Sequence, residues 1–92
     1  MADARFTLGR IVATPCVLEA FQQTREAAVQ FLARHVAGDW GDLTEDDKQE
    51  NELSVREGFR ILSAYHLSDG TKIWIITEAD RSATTLLLPE EY

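Results

Sequence analysis

The sequence of 92 residues predicts an α+β domain, with a helical first half and a stranded second half. Apolar residues recur at helical spacing between Ala28 and Val36, and an acidic segment begins with a threonine suited to cap a helix. After Gly58 the chain is rich in the β-branched and aromatic residues of strands. A chain of this length forms one domain, residues 1–92, with a core of its own.

The first predicted element is a short strand, Arg5–Ala13 (RFTLGRIVA), which mixes β-branched and aromatic residues. Thr14 and Pro15 then predict the start of a helix. A threonine hydroxyl caps a helix N-terminus, and proline is tolerated in the first turn because its missing N–H has no partner there.

This first helix has an apolar side formed by Val17, Leu18 and Phe21. Cys16 falls beside them, and we expect it to be buried as a small hydrophobic residue. The polar run at 22–24 predicts that the helix is short, and Thr24 is expected to cap the helix that follows.

The second helix has the strongest pattern, because its apolar residues fall at i, i+3, i+4, i+7 and i+8. These residues are Ala28, Phe31, Leu32, His35 and Val36. Gly38 is a suitable residue to end the helix. Because His35 lies on the apolar face, we expect it to be buried and hydrogen-bonded to a neighbour such as Asp39.

A third helix is predicted at about Glu45–Glu57. Thr44 and Asp47 form an acidic variant of the capping box, and the acidic first turn suits the positive end of the helix dipole. Residues 39–57 hold eight acidic and two basic side chains, a net charge of −6 out of −7 for the chain. This helix is poor in apolar residues and should lie on the surface.

Three strand-like runs follow, at residues 59–67, 72–77 and 84–88. Asp69 and Gly70 predict a tight hairpin turn between the first two, and the longer loop EADRSA joins the second to the third. Pro89 ends the last strand. We therefore predict a three-stranded antiparallel meander with the helices packed on one face of the sheet.

Composition excludes several classes of function. The single cysteine rules out an internal disulfide and a multi-cysteine zinc site. No apolar run approaches a membrane span, and the N-terminus lacks the features of a signal peptide, so we expect a cytoplasmic protein without membrane contact. The acidic field repels phosphate backbones, which predicts no direct nucleic-acid binding and favours a protein partner with a basic surface.

The acidic segment is the candidate partner-binding site. Its candidate residues are Asp39, Trp40, Asp42, Asp46, Asp47, Glu50 and Asn51. Their spacing does not match a calcium-binding loop, so we predict no metal site. The segment either keeps the fold soluble or forms an electrostatic docking surface. Trp40, between two glycines, is either an exposed anchor for a partner or a plug in the core.

A second group, His35, Glu78, Asp80 and Arg81, has two interpretations. Arg81 is expected to pair with a carboxylate and hold the meander to the helices. The alternative is an acid/base site of a small enzyme formed by these residues with Asp39. The sequence contains no nucleophile elbow, phosphate loop, zinc-protease helix or dinucleotide fingerprint, so no catalytic residue or cofactor is assigned.

Four segments, HVAGDWGDL, EDDKQEN, RILSAYHL and KIWIITEADRSATTLLLPEEY, resemble a family of small uncharacterised bacterial "plasmid-related" proteins carried on plasmids and integrated mobile elements. The resemblance spans roughly residues 6–92 and implies no catalytic residues. It implies a mobile-element protein that binds and blocks a host defence complex, of the anti-restriction or anti-CRISPR type. We therefore expect a non-enzymatic binding module; the rivals are the small enzyme and a homo-oligomer formed at an exposed edge of the meander.

Overall fold

The computed structural model describes residues 3–92, which contain three α-helices and a four-stranded sheet. The helices are α1 (Pro15–Thr24), α2 (Ala28–Val36) and α3 (Glu45–Glu57). The strands are β1 (Arg10–Ala13), β2 (Ile61–His66), β3 (Lys72–Thr77) and β4 (Ala83–Leu87), and a 3-10 turn at Pro89–Glu91 follows. The α+β class is therefore confirmed. Within residues 3–92, no helix combines the length and the apolar character needed to cross a lipid bilayer.

The sheet is mixed and has the strand order β1-β4-β3-β2. β2, β3 and β4 form the predicted antiparallel meander, in which Tyr65 lies opposite Ile73. β1 pairs with β4 in parallel, and it begins at Arg10 instead of Arg5. The place of β1 beside the last strand could not be predicted, because this pairing joins the two ends of the chain.

The core lies between one face of the sheet and the first two helices. α1 contributes Val17, Ala20 and Phe21, and α2 contributes Phe31. They pack against the sheet residues Tyr65, Ile73, Ile75 and Leu86. Burying each of the larger side chains stabilises the fold by about 1.5–3 kcal/mol. α1 and α2 thus cover one face of the sheet as predicted, while α3 lies along the outer edge of β2.

The helix caps explain where α1 and α3 begin and end. Thr14 and Thr44 each accept a hydrogen bond at 3.2 Å from the backbone N–H three residues later. α3 has the predicted bounds, and Gly58 ends it in the left-handed conformation with a φ of 78°. Only Asn51 and Ser54 of α3 are buried, which confirms that this helix lies on the surface.

The predictions for three side chains of α1 are wrong. Cys16 and Leu18 are exposed, because the stripe of α1 that faces the sheet runs through Val17 and Phe21. Thr24 does not cap α2. It is the last residue of α1, and its hydroxyl donates to a carbonyl of that helix at 3.2 Å, so α2 begins without a side-chain cap.

Candidate functional site

Trp40 is a core residue and not a surface anchor. Its side chain is 4% exposed and stacks on Phe6 with the ring centroids 6.2 Å apart. The following glycine, Gly41, has a φ of 76°, and a Cβ there would meet the backbone oxygen of Ala64. This close approach of the loop to β2 turns the indole inward. The prediction that Trp40 anchors a partner is therefore wrong, and the alternative of a structural plug is confirmed.

Glu52, absent from the predicted site, holds Trp40 in place. Its carboxylate accepts a hydrogen bond from the indole Nε1–H at 2.9 Å and two from the guanidinium of Arg5 at 2.8 and 2.7 Å. The hydrogen bonds from Arg5 and then Trp40 lower the pKa of Glu52 to about 2. One acidic side chain of the segment is thus neutralised by the protein's own arginine and is a structural group.

Asp39 and Asp42 also have partners within the chain. Asp39 pairs with Arg34 at 2.7 Å, and this hydrogen bond lowers the pKa of the Asp39 carboxyl. Asp42 lies 2.7 Å from the ring of His66, which is exposed as predicted. Both aspartates remain exposed, but Asp39 is committed to the turn after α2, where its carboxylate also accepts the N–H of Gly41 at 3.2 Å.

The side chain of Asn51 pairs with the backbone of the edge strand β2. It is 5% exposed, its amide donates to the carbonyl of Leu62 at 2.7 Å, and its oxygen accepts the N–H of the same residue at 3.2 Å. Because β2 is an edge strand, these backbone groups need partners. Asn51 is thus a structural residue of the sheet edge, and its role in binding a partner stays a prediction.

The carboxylates of Asp46, Asp47 and Glu50 remain free. All three side chains are exposed, and none has a hydrogen-bond or ion-pair partner among residues 3–92. They occupy the first two turns of α3, close to the helix N-terminus, where negative charge is favourable. These three residues are the part of the predicted acidic surface that is still available to a partner.

Asp47 and Glu50 line an open groove between α3 and the outer face of β2 and β3, which we call the α3 groove. Its volume is about 730 Å³. Asp42 continues the acidic wall beyond the start of α3, and Arg60 and Lys72 lie on the opposite, strand side. The groove therefore has carboxylates on one wall and cationic side chains on the other.

The floor of the α3 groove is apolar. It is lined by Leu43, Leu53, Leu62 and Trp74, and Phe59 lies at its end. Leu53 is 40% exposed and Phe59 is 54% exposed. The ring of Trp74 meets Tyr92 edge-on, with the centroids 5.8 Å apart. Apolar surface between charged walls is typical of sites that hold part of another molecule.

Trp74 was not predicted as a site residue, although the sequence contains a signal for it. Lys72 and Trp74 are two apart on β3 and so share a face, and a lysine on that face indicates contact with water. The surrounding apolar run, KIWIIT, hid this alternation because Ile76, on the same face, is also buried.

His35 is buried, as predicted, but its partners come from the sheet and not from Asp39. Its Nδ1 lies 2.6 Å from the hydroxyl of Ser63, and its Nε2 lies 2.9 Å from the hydroxyl of Thr77. A further hydrogen bond joins the hydroxyls of Thr77 and Thr84 at 2.7 Å. The Thr84 hydroxyl in turn donates to the carbonyl of Leu8, 2.7 Å away.

This network of hydrogen bonds determines which ring nitrogen of His35 carries the proton. The Leu8 carbonyl can only accept, so Thr84 donates to it and accepts from Thr77. Thr77 must then accept from the Nε2–H of His35, whose Nδ1 accepts from Ser63. Each donor meets an acceptor only when the ring is neutral. Burial lowers the pKa of His35 to about 4, so the ring is a structural hub at neutral pH.

Arg81 holds the meander to the helices, as predicted, but it binds carbonyl oxygens and not a carboxylate. Its guanidinium donates to Ser54 at 2.9 Å and to Phe59 at 2.7 Å, at the C-terminal end of α3. Carbonyl oxygens at the C-terminal end of a helix carry partial negative charge and are favourable partners for a cation. Asp80 accepts the N–H of Ser82 at 3.0 Å and shapes the same loop.

The alternative acid/base site is not assembled. His35 is sealed in the core, Arg81 is occupied by carbonyls, and Asp80 serves its own turn. Glu78 is exposed, and none of these residues lines the α3 groove. Within the part of the chain that the structure describes, no three His, Cys, Asp or Glu side chains are placed to hold a metal ion.

The comparisons with known proteins add no assignment to this geometry. No protein-family model, no curated protein and no solved structure matches the chain.

Proposed function

We propose that this protein is a non-enzymatic binding module whose α3 groove holds a segment of a partner protein with basic and apolar side chains. The observation that carries the proposal is the groove itself, in which free carboxylates of α3 stand beside an exposed apolar floor. Charge of this kind steers an oppositely charged partner, and buried apolar contact then provides most of the affinity.

The charges across the groove restrict the bound segment. Basic side chains of the partner would face Asp47 and Glu50, while Arg60 and Lys72 would favour a carboxylate or carbonyl group on the other side. Trp74 between the walls provides a large flat surface for an aliphatic or aromatic side chain. A segment with one basic and one apolar face fits this arrangement best.

The proposed partner is a protein that itself handles nucleic acids, because such proteins carry the basic surfaces that an acidic module can occupy. The resemblance to proteins of mobile elements supports a defence-blocking role of the anti-restriction or anti-CRISPR type. In that role the module would act as a cytoplasmic competitor for a surface that otherwise binds DNA or RNA.

The test compares two triple variants of equal net charge. One, the acidic-wall variant, reverses Asp47 and Glu50 of the wall together with Asp46 beside them at the start of α3, with Asp46→Lys, Asp47→Lys and Glu50→Lys. The control reverses three exposed acids outside the groove, with Glu19→Lys, Glu78→Lys and Glu90→Lys. Peptides are selected from a random display library on the unmodified protein, and their affinities are then measured for all three proteins.

The selected peptides should combine lysine or arginine with apolar residues. The acidic-wall variant should bind them roughly 100-fold more weakly, since three charge contacts of about 0.5 kcal/mol each become repulsions. The control variant should lose much less affinity for the peptides, and circular dichroism should show both variants folded. In NMR spectra, the indole N–H of Trp74 should shift on binding while that of the buried Trp40 should not. Equal losses in the two variants would refute the groove as the binding site.

A further inference from the structure

The two edges of the sheet differ in whether their backbone groups are satisfied. On β2, Asn51 pairs with Leu62, and the loop before α3 pairs with Ala64. The Ala64 N–H donates to the carbonyl of Trp40 at 3.2 Å, and its carbonyl accepts the N–H of Asp42 at 2.7 Å. On the other side, β1 covers β4, so the meander has outward backbone groups only along β2, where Leu62 and Ala64 are paired. The rival hypothesis of a homo-oligomer at an edge of the meander therefore finds Leu62 and Ala64 of β2 already paired, and it stays a prediction.

β1 is the open edge. The N–H groups of Arg10 and Thr14 donate inward, to Ser82 at 3.0 Å and to Leu86 at 3.1 Å. Alternation along a strand then turns the N–H and carbonyl groups of Ile11 and Ala13 away from β4. No residue within 3–92 forms a hydrogen bond with these outward groups.

The side chains of β1 are also only partly covered. Ile11 is 47% exposed and Val12 is 38% exposed, and they point to opposite faces of the sheet. Proteins usually protect an edge strand with a charge pointing inward, a bulge or a covering loop. β1 is short, with four residues, and Arg10 is its one charged side chain, but among residues 3–92 no bulge or loop covers it between Arg10 and Ala13, so its edge is open to another strand.

We propose that β1 pairs in antiparallel fashion with β1 of a second copy, with Val12 opposite Val12 of the partner. In this register Ile11 of each copy lies opposite Ala13 of the other, and the two residues exchange their outward N–H and carbonyl groups. The two short strands would then form four hydrogen bonds around a twofold axis.

The charges at the ends of β1 match this register. Arg10 comes opposite Thr14 of the second copy, and the Thr14 hydroxyl donates to the carboxylate of Glu91 at 2.8 Å. The pairing thus brings Arg10 of each copy towards Glu91 of the other, forming two symmetric ion pairs. Arg10 has no ion pair within residues 3–92.

The fold also limits the assembly to two copies. Since Leu62 and Ala64 in the middle of the β2 edge are already paired, an incoming β1 pairs with another β1, and a chain of copies cannot grow. The acidic helix α3 lies at the far edge of the sheet, so the like charges of the two copies stay apart. A four-stranded sheet becomes a continuous sheet of eight strands with an α3 groove at each end.

The test is sedimentation equilibrium from about 10 μM to about 1 mM, because an interface this short should be weaker than a standard protein interface. The average mass should rise towards twice that of one chain. Arg10→Glu and Val12→Lys should each weaken association at least about tenfold, and the exchanged pair Arg10→Glu with Glu91→Arg should recover most of it. Val29→Lys, on the exposed side of α2 and outside both β1 and the α3 groove, is the matched control and should associate like the unmodified protein.

Amide hydrogen exchange locates the contact. The N–H groups of Ile11 and Ala13 should be protected in concentrated samples and exchange rapidly in dilute ones. A protein that remains monomeric to the highest concentration overturns the proposal. Association that is unchanged in both Arg10→Glu and Val12→Lys also overturns it, because the copies would then meet at another surface.

Discussion

Burial of His35 should make the protein less stable as the pH falls from about 7 to about 5. The folded protein lowers the pKa of this imidazole from 6.5 to about 4. In the interval between these values the unfolded chain binds a proton and the folded chain does not, so acid favours unfolding. This destabilisation of the folded protein is absent above pH 6.5 and reaches its full size near pH 4.

The full pKa shift of His35 lowers the free energy of unfolding by about 3 kcal/mol, because one pKa unit corresponds to about 1.4 kcal/mol. About 2 kcal/mol of this is lost between about pH 7 and about pH 5. For a domain of this size, such a loss lowers the melting temperature by roughly 10 °C. Glu52 and Asp39, whose carboxyl pKa values are lowered, act mainly below this range, since their stabilisation is lost only as the pH falls below their ordinary values.

The assay is urea unfolding at about pH 7, 6 and 5 for the unmodified protein, His35→Gln and His66→Gln. Glutamine can donate and accept but does not titrate, so His35→Gln should lose about 1–3 kcal/mol at neutral pH and lack the steep acid dependence. His66→Gln removes the exposed histidine and should keep that dependence. If the free energy of unfolding of His35→Gln fell with pH as steeply as that of the unmodified protein, the reasoning would be refuted. An NMR titration of folded His35 near 6.5 would refute it as well.

Two further substitutions test the structural roles of acidic-segment residues. Glu52→Ala should lower the free energy of unfolding by about 2 kcal/mol, because the Trp40 indole N–H loses its acceptor, while Glu50→Ala should change it by less than about 0.5 kcal/mol. Urea curves at neutral pH compare them, and equal effects would contradict the assignment. Asn51→Asp preserves shape but sets a carboxylate against the Leu62 carbonyl, so we expect a loss of about 2–3 kcal/mol in thermal melts. An unchanged melting temperature would show that Asn51 does not close the β2 edge.

Local signals predicted most of the elements. Thr44 and Gly58 gave α3 its bounds because a cap and a left-handed glycine act within one turn of the helix. Asp69 and Gly70 likewise predicted the hairpin between β2 and β3, where Gly70 has a φ of 90°. The failures at Cys16 and Thr24 were also local, since helical periodicity leaves the exact buried stripe and the helix end uncertain by a residue or two.

The candidate site was predicted less well than the fold. The sequence placed the excess of negative charge correctly in residues 39–57, but it could not separate Asp46, Asp47 and Glu50 from neighbours with internal partners. Arg5 meets Glu52 across 47 positions of sequence, and Asn51 meets the edge strand β2 only after α3 has docked. Composition reports how many charges are present and not which of them are already paired.

The sequence alone determined the helices α2 and α3, the antiparallel meander and the location of the acidic charge, because each depends on residues close together in the chain. Only the tertiary structure decided that Trp40 is buried, that His35 is a neutral hub, and that β1 lies in parallel beside β4. These outcomes depend on contacts between residues far apart in sequence, where burial and hydrogen-bond partners are set by the packed fold.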